Sequence, residues 1–387
     1  MINKIFNANR ITAAAVILLI IGLCFLPTGF PSIQYNGSER AVVKIVETDN
    51  SNMYNTGIIQ QGEQKCKVTV LDGKFKGKTA QGTNNLVGKL ELDKVFVPGD
   101  EALAVIDFEG DTIKFVTLID HYRINLELIL FAGFVLLLVV FAGWTGAKAI
   151  LSFILSIVVI WKVLVPALLK GWNPIWISMF IVAFLTIFII SMVSGFNKKS
   201  LAAIAGSLCG TILSCFLAVI FGHLFKIHGA VMAFSESLLY SGYANLNLTD
   251  IFIAATFIAS AGALMDVAVD IAAAVAELVE KNPEMPASEA IKSGFNIGKV
   301  VMGTMTTTLL LAYSGGYIGL LMVFMAQGTP IINILNLKYV AAEIFHTLVG
   351  SFGLVAVAPF TAIISGILFT KSKDEKAEQS QKMLSEE

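Results

Sequence analysis

Asp266 and Asp270 stand four residues apart inside GALMDVAVDIAAAVAELVE (262–280), a run otherwise apolar enough to cross a bilayer. One helical turn separates them, so they share a face. The other positions on that face are Ala259, Gly262, Ala263, Ala273 and Glu277. Small residues there predict a face packed against other helices and not against lipid. As a helix, Ile251 to Ala276 would span about 39 Å, which sets Asp266 inside the hydrocarbon layer and Asp270 nearer one edge. An aspartate at that depth costs roughly 2.5–3.5 kcal/mol and is by default read as an ion or proton site. Two coupled acids can take up and release a proton or a cation. The plainer alternative is a structural pair satisfied by neighbouring hydroxyls or by Lys299.

The next apolar run, GKVVMGTMTTTLLLAYSGG (298–316), carries Lys299, Thr304, Thr306, Thr307 and Thr308. A lone threonine in a membrane helix usually bonds back to its own backbone. Four within five residues predict hydroxyls that line a path, with Thr304, Thr307 and Thr308 as the path-lining residues and Lys299 as a partner. In YVAAEIFHTLVGSFGL (339–354), Glu343, His346, Thr347, Gly350 and Ser351 recur at helical spacing. Glu343 and His346 read as an outer proton relay, or as two metal ligands lacking a third. With four histidines in the chain and no second cluster, neither a metal nor a cofactor is expected.

Enzyme readings fail on the same residues. There is no P-loop and no dinucleotide fingerprint. An intramembrane aspartyl protease needs its acids on two facing helices, and GSFG beside His346 matches no serine-protease motif.

The elements that must hold these residues follow from composition and hydropathy. Of 387 residues, 56% are hydrophobic and 14% charged, the balance of a polytopic membrane protein. A net charge of −1 points to no nucleic-acid partner. Cys24, Cys209 and Cys215 lie in apolar runs and Cys66 in a polar segment, so no disulfide framework is expected. A basic start with Lys4 and Arg10 precedes an apolar run to residue 30, read as a retained first helix.

Residues 31–122 hold RAVVKIVE, KVTVL, VFVPGDEALAVID and TIKFVTLID, separated by turn chemistry in DGKFKGK and VPGD. They predict a small β-barrel-like domain of the OB or SH3-like kind. Its loop with Lys74, Lys76 and Lys78 either touches an anionic surface or is a solvated hairpin.

Residues 123–370 predict a seven-helix bundle, with apolar runs at 124–143, 147–169, 174–195, 200–225, 251–276, 297–318 and 339–370. With the first helix this makes eight transmembrane helices. Lys148, Lys198, Lys199, Lys281, Lys292, Lys299, Lys371 and Lys373 then fall on one side, which the positive-inside rule makes cytoplasmic. Both termini would be cytoplasmic, with 371–387 as a polar tail, and the β-domain extracytoplasmic on the plasma membrane. The segment 319–338 reads as re-entrant or interfacial. Gly206 and Gly210 form a GxxxG packing signal, and Lys162 snorkels near a helix end.

DGKFKGKTAQGTNNLVG, GALMDVAVDIAAAVAEL, GKVVMGTMTTTLLLAYSGG and LVGSFGLVAVAPFTA resemble the YibE/F family of bacterial membrane proteins over nearly the whole chain. The resemblance implies the long form, with an outward β-domain before the bundle, and not an activity. Against the family's pattern, Thr307 stands where an asparagine is usual, and Val300 where an acid follows the basic residue at Lys299. Residues 260–370, with the connector SEAIKSGF, also resemble the helix order of SecD/SecF and the wider proton-driven RND exporters. That likeness implies an ion- or proton-coupled transporter or export factor. The rival is a non-transporting assembly or signalling protein whose outer β-domain binds an envelope partner. Besides the lipid bilayer, expected partners are a second copy of the chain or a shorter YibE/F paralogue lacking the β-domain.

Overall fold

The computed structural model describes the backbone of residues 2–30 and 37–385 and the side chains of residues 13–30 and 37–370. Lys4, Arg10, Lys371 and Lys373 lie outside the described side chains. The chain divides into two compact units, Phe30–Val140 and Met1–Gly29 with Phe141–Glu387.

The first unit holds five strands, β1 (Glu39–Thr56), β2 (Ile59–Val70), β3 (Thr79–Val87), β4 (Glu101–Glu109) and β5 (Thr112–His121). They close into a barrel in the order β1-β2-β3-β5-β4, antiparallel except for the β3–β5 pair. This is the five-stranded Greek-key arrangement of an OB barrel. Alternating residues of β1, β2 and β4 point inward, so Ala41, Val43, Ile45, Val68, Val70, Ala102, Ala104 and Ile106 form the core with Phe75 and Phe96. β4 starts only at Glu101, because Pro98, Gly99 and Asp100 make a turn.

β3 reads TAQGTNNLV, too polar and too rich in glycine and asparagine to announce a strand. It is held by a buried amide cluster. Gln64 donates to Asn50 Oδ1 at 2.9 Å and to the Phe96 carbonyl at 2.8 Å, and its Oε1 accepts from the Phe96 N–H at 3.0 Å. The Asn84 amide donates to Gln64 Oε1 at 3.1 Å and to the Lys94 carbonyl at 2.7 Å.

The second unit is helical and begins with α1 (Ile2–Phe25). α2 (Ile124–Val159) straddles the two units, leaves helical dihedrals at Gly143 (φ 54°, ψ −128°) and runs through a π-helical turn at Ile160–Leu164 into α3 (Val165–Leu169). α4 (Pro174–Ser194) and α5 (Lys198–Leu224) follow, capped by the side chains of Asn173 and Asn197. Then come the short α6 (Ser235–Tyr240), the long α7 (Leu248–Lys281) capped by Asn247, and α8 (Ala287–Gly315). α9 (Ile318–Ala326) and α10 (Ile331–Asn336) are short, and α11 (Lys338–Ser385) closes the described chain.

Among the described residues, six helical runs are long and apolar enough to cross a membrane. Two of the expected spans, 124–143 and 147–169, lie within one of these runs, 46 residues long, which the non-helical Gly143 breaks at the expected boundary, and the described apolar part of α1 is Ala13–Phe25. The segment 319–338 forms α9 and α10, each far too short to cross.

α7 packs its bulky stripe inward. Leu264, Val267, Ile271 and Val275 are buried against α5, α8 and α11, which present small residues, and Phe257 is buried in a neighbouring cluster with Val182 of α4. A Cβ at Gly206 would run into Thr361, one at Gly353 into Ser214, and one at Gly298 would press on Ala358 and Ile271. The GxxxG of α5 is thus a close helix contact. Lys148 does not sit in a loop. It is buried within α2 and its ammonium donates to the Val193 carbonyl at 3.2 Å, in the last turn of α4, where the helix dipole favours a cation. Lys199 pairs with Glu280 at 3.8 Å, which sets the start of α5 beside the end of α7.

Candidate functional site

The small-residue face of α7 is its exposed face. Ala259, Gly262, Asp266, Asp270, Ala273 and Glu277 are all exposed, and a Cβ at Gly262 would meet nothing within 4 Å. Among the described residues, no other helix of this chain covers that face. Periodicity groups residues on a face but does not say which face turns inward. Here the bulky stripe does, because it complements the glycines and alanines of three neighbours. Asp266 and Asp270 make no hydrogen bond or ion pair among the described residues.

α8 presents Lys299, Gly303, Thr304, Thr306, Thr307 and Thr308 on its own exposed side. The hydroxyls of Thr304, Thr306 and Thr308 donate to the carbonyls of Val301, Met302 and Thr304 at 3.1, 2.9 and 3.2 Å. Three of the four threonines thus follow the ordinary behaviour of a threonine in a helix, and each oxygen still has lone-pair capacity to accept. Depth can be read across the helices. Gly298 lies against Ile271, so Lys299 and Asp270 sit at one level and Asp266 lies about level with Gly303. Lys299 pairs with no carboxylate among the described residues.

The structure does not bring Glu343 and His346 to these acids. The His346 ring stacks on Tyr313 at 4.4 Å between centroids, and Tyr313 lies ten residues beyond Gly303 on α8, about 15 Å along the axis. This makes a second cluster, at the end where α11 begins. Three of its polar atoms are buried without a hydrogen-bond partner among the described residues: Tyr313 Oη, Glu343 Oε1 and His346 Nε2. Buried polar atoms are nearly always paired, so three orphans together call for an explanation. A cavity of about 230 Å³ opens beside Glu343, lined by Leu310, Leu321, Val340 and Leu348 with Ser314, Tyr317 and Thr347, and its wall is almost wholly apolar. Glu343 and His346 were visible in the sequence from their spacing. Tyr313, Ser314 and Tyr317 were not, because only the packing of the end of α8 and the turn after it against α11 brings them there.

Among the described residues no group of three or more His, Cys, Asp or Glu side chains could hold a metal. In the barrel, the basic loop is tied down. Lys74 donates to the Gly110 carbonyl at 2.8 Å and pairs with Asp111 at 3.2 Å, and Lys78 donates to the Asp111 carbonyl at 2.7 Å. Lys74 also lies 4.7 Å from the Phe108 ring centroid. A broader groove of about 600 Å³ runs over β1, β2, β3 and β5, lined by Glu47, Asp49, Glu63, Lys65, Lys114 and the exposed Phe115 among others. At the barrel's end, the Arg123 side chain bonded to Asp120 holds that carboxyl below the usual range.

A family model described as YibE/F-like protein matches residues 130–371, more than half of the chain and all of the region that carries both clusters. No curated protein and no solved structure matches.

Proposed function

The chain belongs to the YibE/F-like family, and from that premise we propose that it is an ion- or proton-coupled membrane transporter or export factor. In this reading Asp266 and Asp270 bind the coupling proton or cation, Thr304, Thr307 and Thr308 line its path with Lys299 as partner, and Glu343 and His346 stand at the outer mouth. One observation carries it: two carboxylates are exposed in the middle of an apolar helix, on a face whose nearest exposed positions are Gly262 and Ala273. Left to lipid, each would cost roughly 2.5–3.5 kcal/mol. A second copy of the chain, or a shorter relative without the barrel, covers the face and leaves the acids along a path between the two chains. Gly262 and Gly303 each have open space where a Cβ would point, which suits close helix approach.

The fold also suits eight crossings, with α1 as one and the 46-residue run broken at Gly143 as two. At about 69 Å that run is more than twice the hydrocarbon thickness. Both termini are then cytoplasmic and the barrel lies outside the plasma membrane.

Carbodiimide labelling tests the reading, because it modifies protonated carboxyls in apolar surroundings. Asp266 should be labelled in the reconstituted protein, and sodium ions or raised pH should suppress the adduct. An adduct yield that neither condition changes would remove ion binding at Asp266. The groove over the barrel favours a second reading, in which the outer domain binds an envelope partner and the acids only organise an assembly. Deleting residues 35–120 separates the two: ion-sensitive labelling at Asp266 survives in the first and has no counterpart in the second.

A further inference from the structure

We propose that one end of the barrel docks on a phospholipid bilayer surface, that of the leaflet α2 enters, through Leu90, Leu92 and Ile58. The strand register sets which end this is. β4 begins where Lys44 pairs with Glu101, and β5 ends beside it, where Ala102 pairs with His121. Tyr122 donates its N–H to the Glu101 carbonyl at 2.8 Å, and α2 starts at Ile124. Ile124, Leu126, Leu128, Ile129 and Leu130 are exposed on all sides of that helix, the pattern of a segment in lipid. Tyr122 and Arg123 therefore stand where interfacial anchors stand, and groups level with them lie among lipid headgroups.

The loop 88–97 is at that level. The ring of Phe96 lies 4.7 Å from that of His121 between centroids, and Lys94 helps the Arg123 side chain hold the Asp120 carboxyl below its usual range. The loop is fixed by its own bonds: the N–H groups of Val87 and Lys89 donate to the Asp93 carboxylate at 2.8 and 2.7 Å, and the Leu92 N–H to the Lys89 carbonyl at 2.9 Å. Neither leucine side chain belongs to the barrel core, and both are held out exposed. A groove of about 210 Å³, lined by Leu86, Leu90, Asp93, Lys94 and Val95 among others, joins them to Ile58 at the tip of the β1–β2 hairpin, a side chain 83% exposed. Apolar side chains at the depth of the headgroups gain by reaching the acyl carbons, and Lys89 and Lys94 beside them offer ammonium groups to lipid phosphates. The barrel and the first turns of α2 belong to one compact unit, so a protein seated on this end would have to displace the lipid around α2.

The test uses the full-length protein in phosphatidylcholine vesicles that contain a phosphatidylcholine with a diazirine near the ester end of one acyl chain. After photolysis, mass spectrometry should find carbene adducts on Leu90, Leu92 and Ile58 as well as on Leu130 of α2. Phe115, exposed on β5 about 20 Å from His121, should carry at least tenfold fewer. Replacing both leucines, Leu90→Glu with Leu92→Glu, leaves the bonds of the turn in place and should lower labelling of Ile58 at least fivefold while Leu130 is unchanged. Leu90 and Leu92 free of adducts beside a labelled Leu130, or Phe115 labelled as strongly as they are, overturns the proposal, as does Ile58 labelling that the double variant leaves unchanged. An unlabelled Leu130 would overturn it together with the bilayer crossing by α2 on which it rests. None of these outcomes depends on ion binding at Asp266, so the failure of either idea leaves the other standing.

Discussion

The barrel and the helical bundle treat buried polar groups in opposite ways. In the barrel, Gln64 is wholly buried and uses both ends of its amide in bonds that fix β2, β3 and the segment before β4. In the bundle, Tyr313, Glu343 and His346 each bury a polar atom that nothing answers, and Asp266 and Asp270 lie open on an apolar helix. The barrel leaves one buried polar atom unpaired among the described residues, Asn84 Oδ1, inside a cluster that is otherwise bonded. The bundle gathers three at the start of α11, which is where its polar groups differ from those of the barrel.

The largest expected effect tests how tightly the bundle is packed compared with the barrel. Gly353→Leu drives a side chain into Ser214 and should cost several kcal/mol, seen as loss of a monodisperse protein on size exclusion. Gly82→Ala in the barrel, where the new Cβ finds ordinary contacts at 3.4 to 3.5 Å, should cost less than about 1 kcal/mol by thermal unfolding. If the two variants proved equally damaging, the contrast in packing would fail.

Next is Cys66, sealed in the barrel core, where burial pushes its thiol up to about 11 from 9.0. At pH 8, below both values, its thiolate fraction is about 100-fold smaller than that of an unperturbed thiol. Its reaction with a disulfide reagent, mapped by mass spectrometry, should be slower by at least that factor until the barrel unfolds. Because the folded value is the raised one, its contribution to stability is complete below pH 9 and is lost as pH rises towards 11.

Gln64→Leu comes third. It strands the Phe96 N–H at about 1–3 kcal/mol and leaves the Asn84 amide with only its bond to the Lys94 carbonyl, and hydrogen exchange should quicken in β2 and β3 while α7 is unchanged. The smallest effect belongs to Lys74→Ala, an exposed pair with Asp111 worth less than about 1 kcal/mol, within the scatter of a melting curve. A larger loss would mean that the basic loop holds the barrel together.

Legibility in the sequence differed between the two regions for the same reason. Long apolar runs marked where α4, α5, α7, α8 and α11 lie, since a membrane helix announces itself by length alone. β1, β2 and β5 announced themselves by β-branched alternation, but β3 did not, because its pairing rests on Asn84 and Gln64 and not on its own propensity. The expected boundary between 124–143 and 147–169 falls where Gly143 leaves helical dihedrals, a conformation glycine adopts without a Cβ penalty. Lys148 looked like a loop residue, and only the end of α4 explains why it can be buried.

By itself the sequence determined that Asp266 and Asp270 share a helical face with glycine and alanine, and that Glu343 and His346 share another. Spacing along a helix decides that much without any neighbour. Only the tertiary structure decided that the acid face of α7 points away from its own bundle, and that Tyr313 and Tyr317 return to meet Glu343 and His346. The reason is complementarity of shape: α5, α8 and α11 offer a floor of small residues, and only the bulky stripe of α7 fills it.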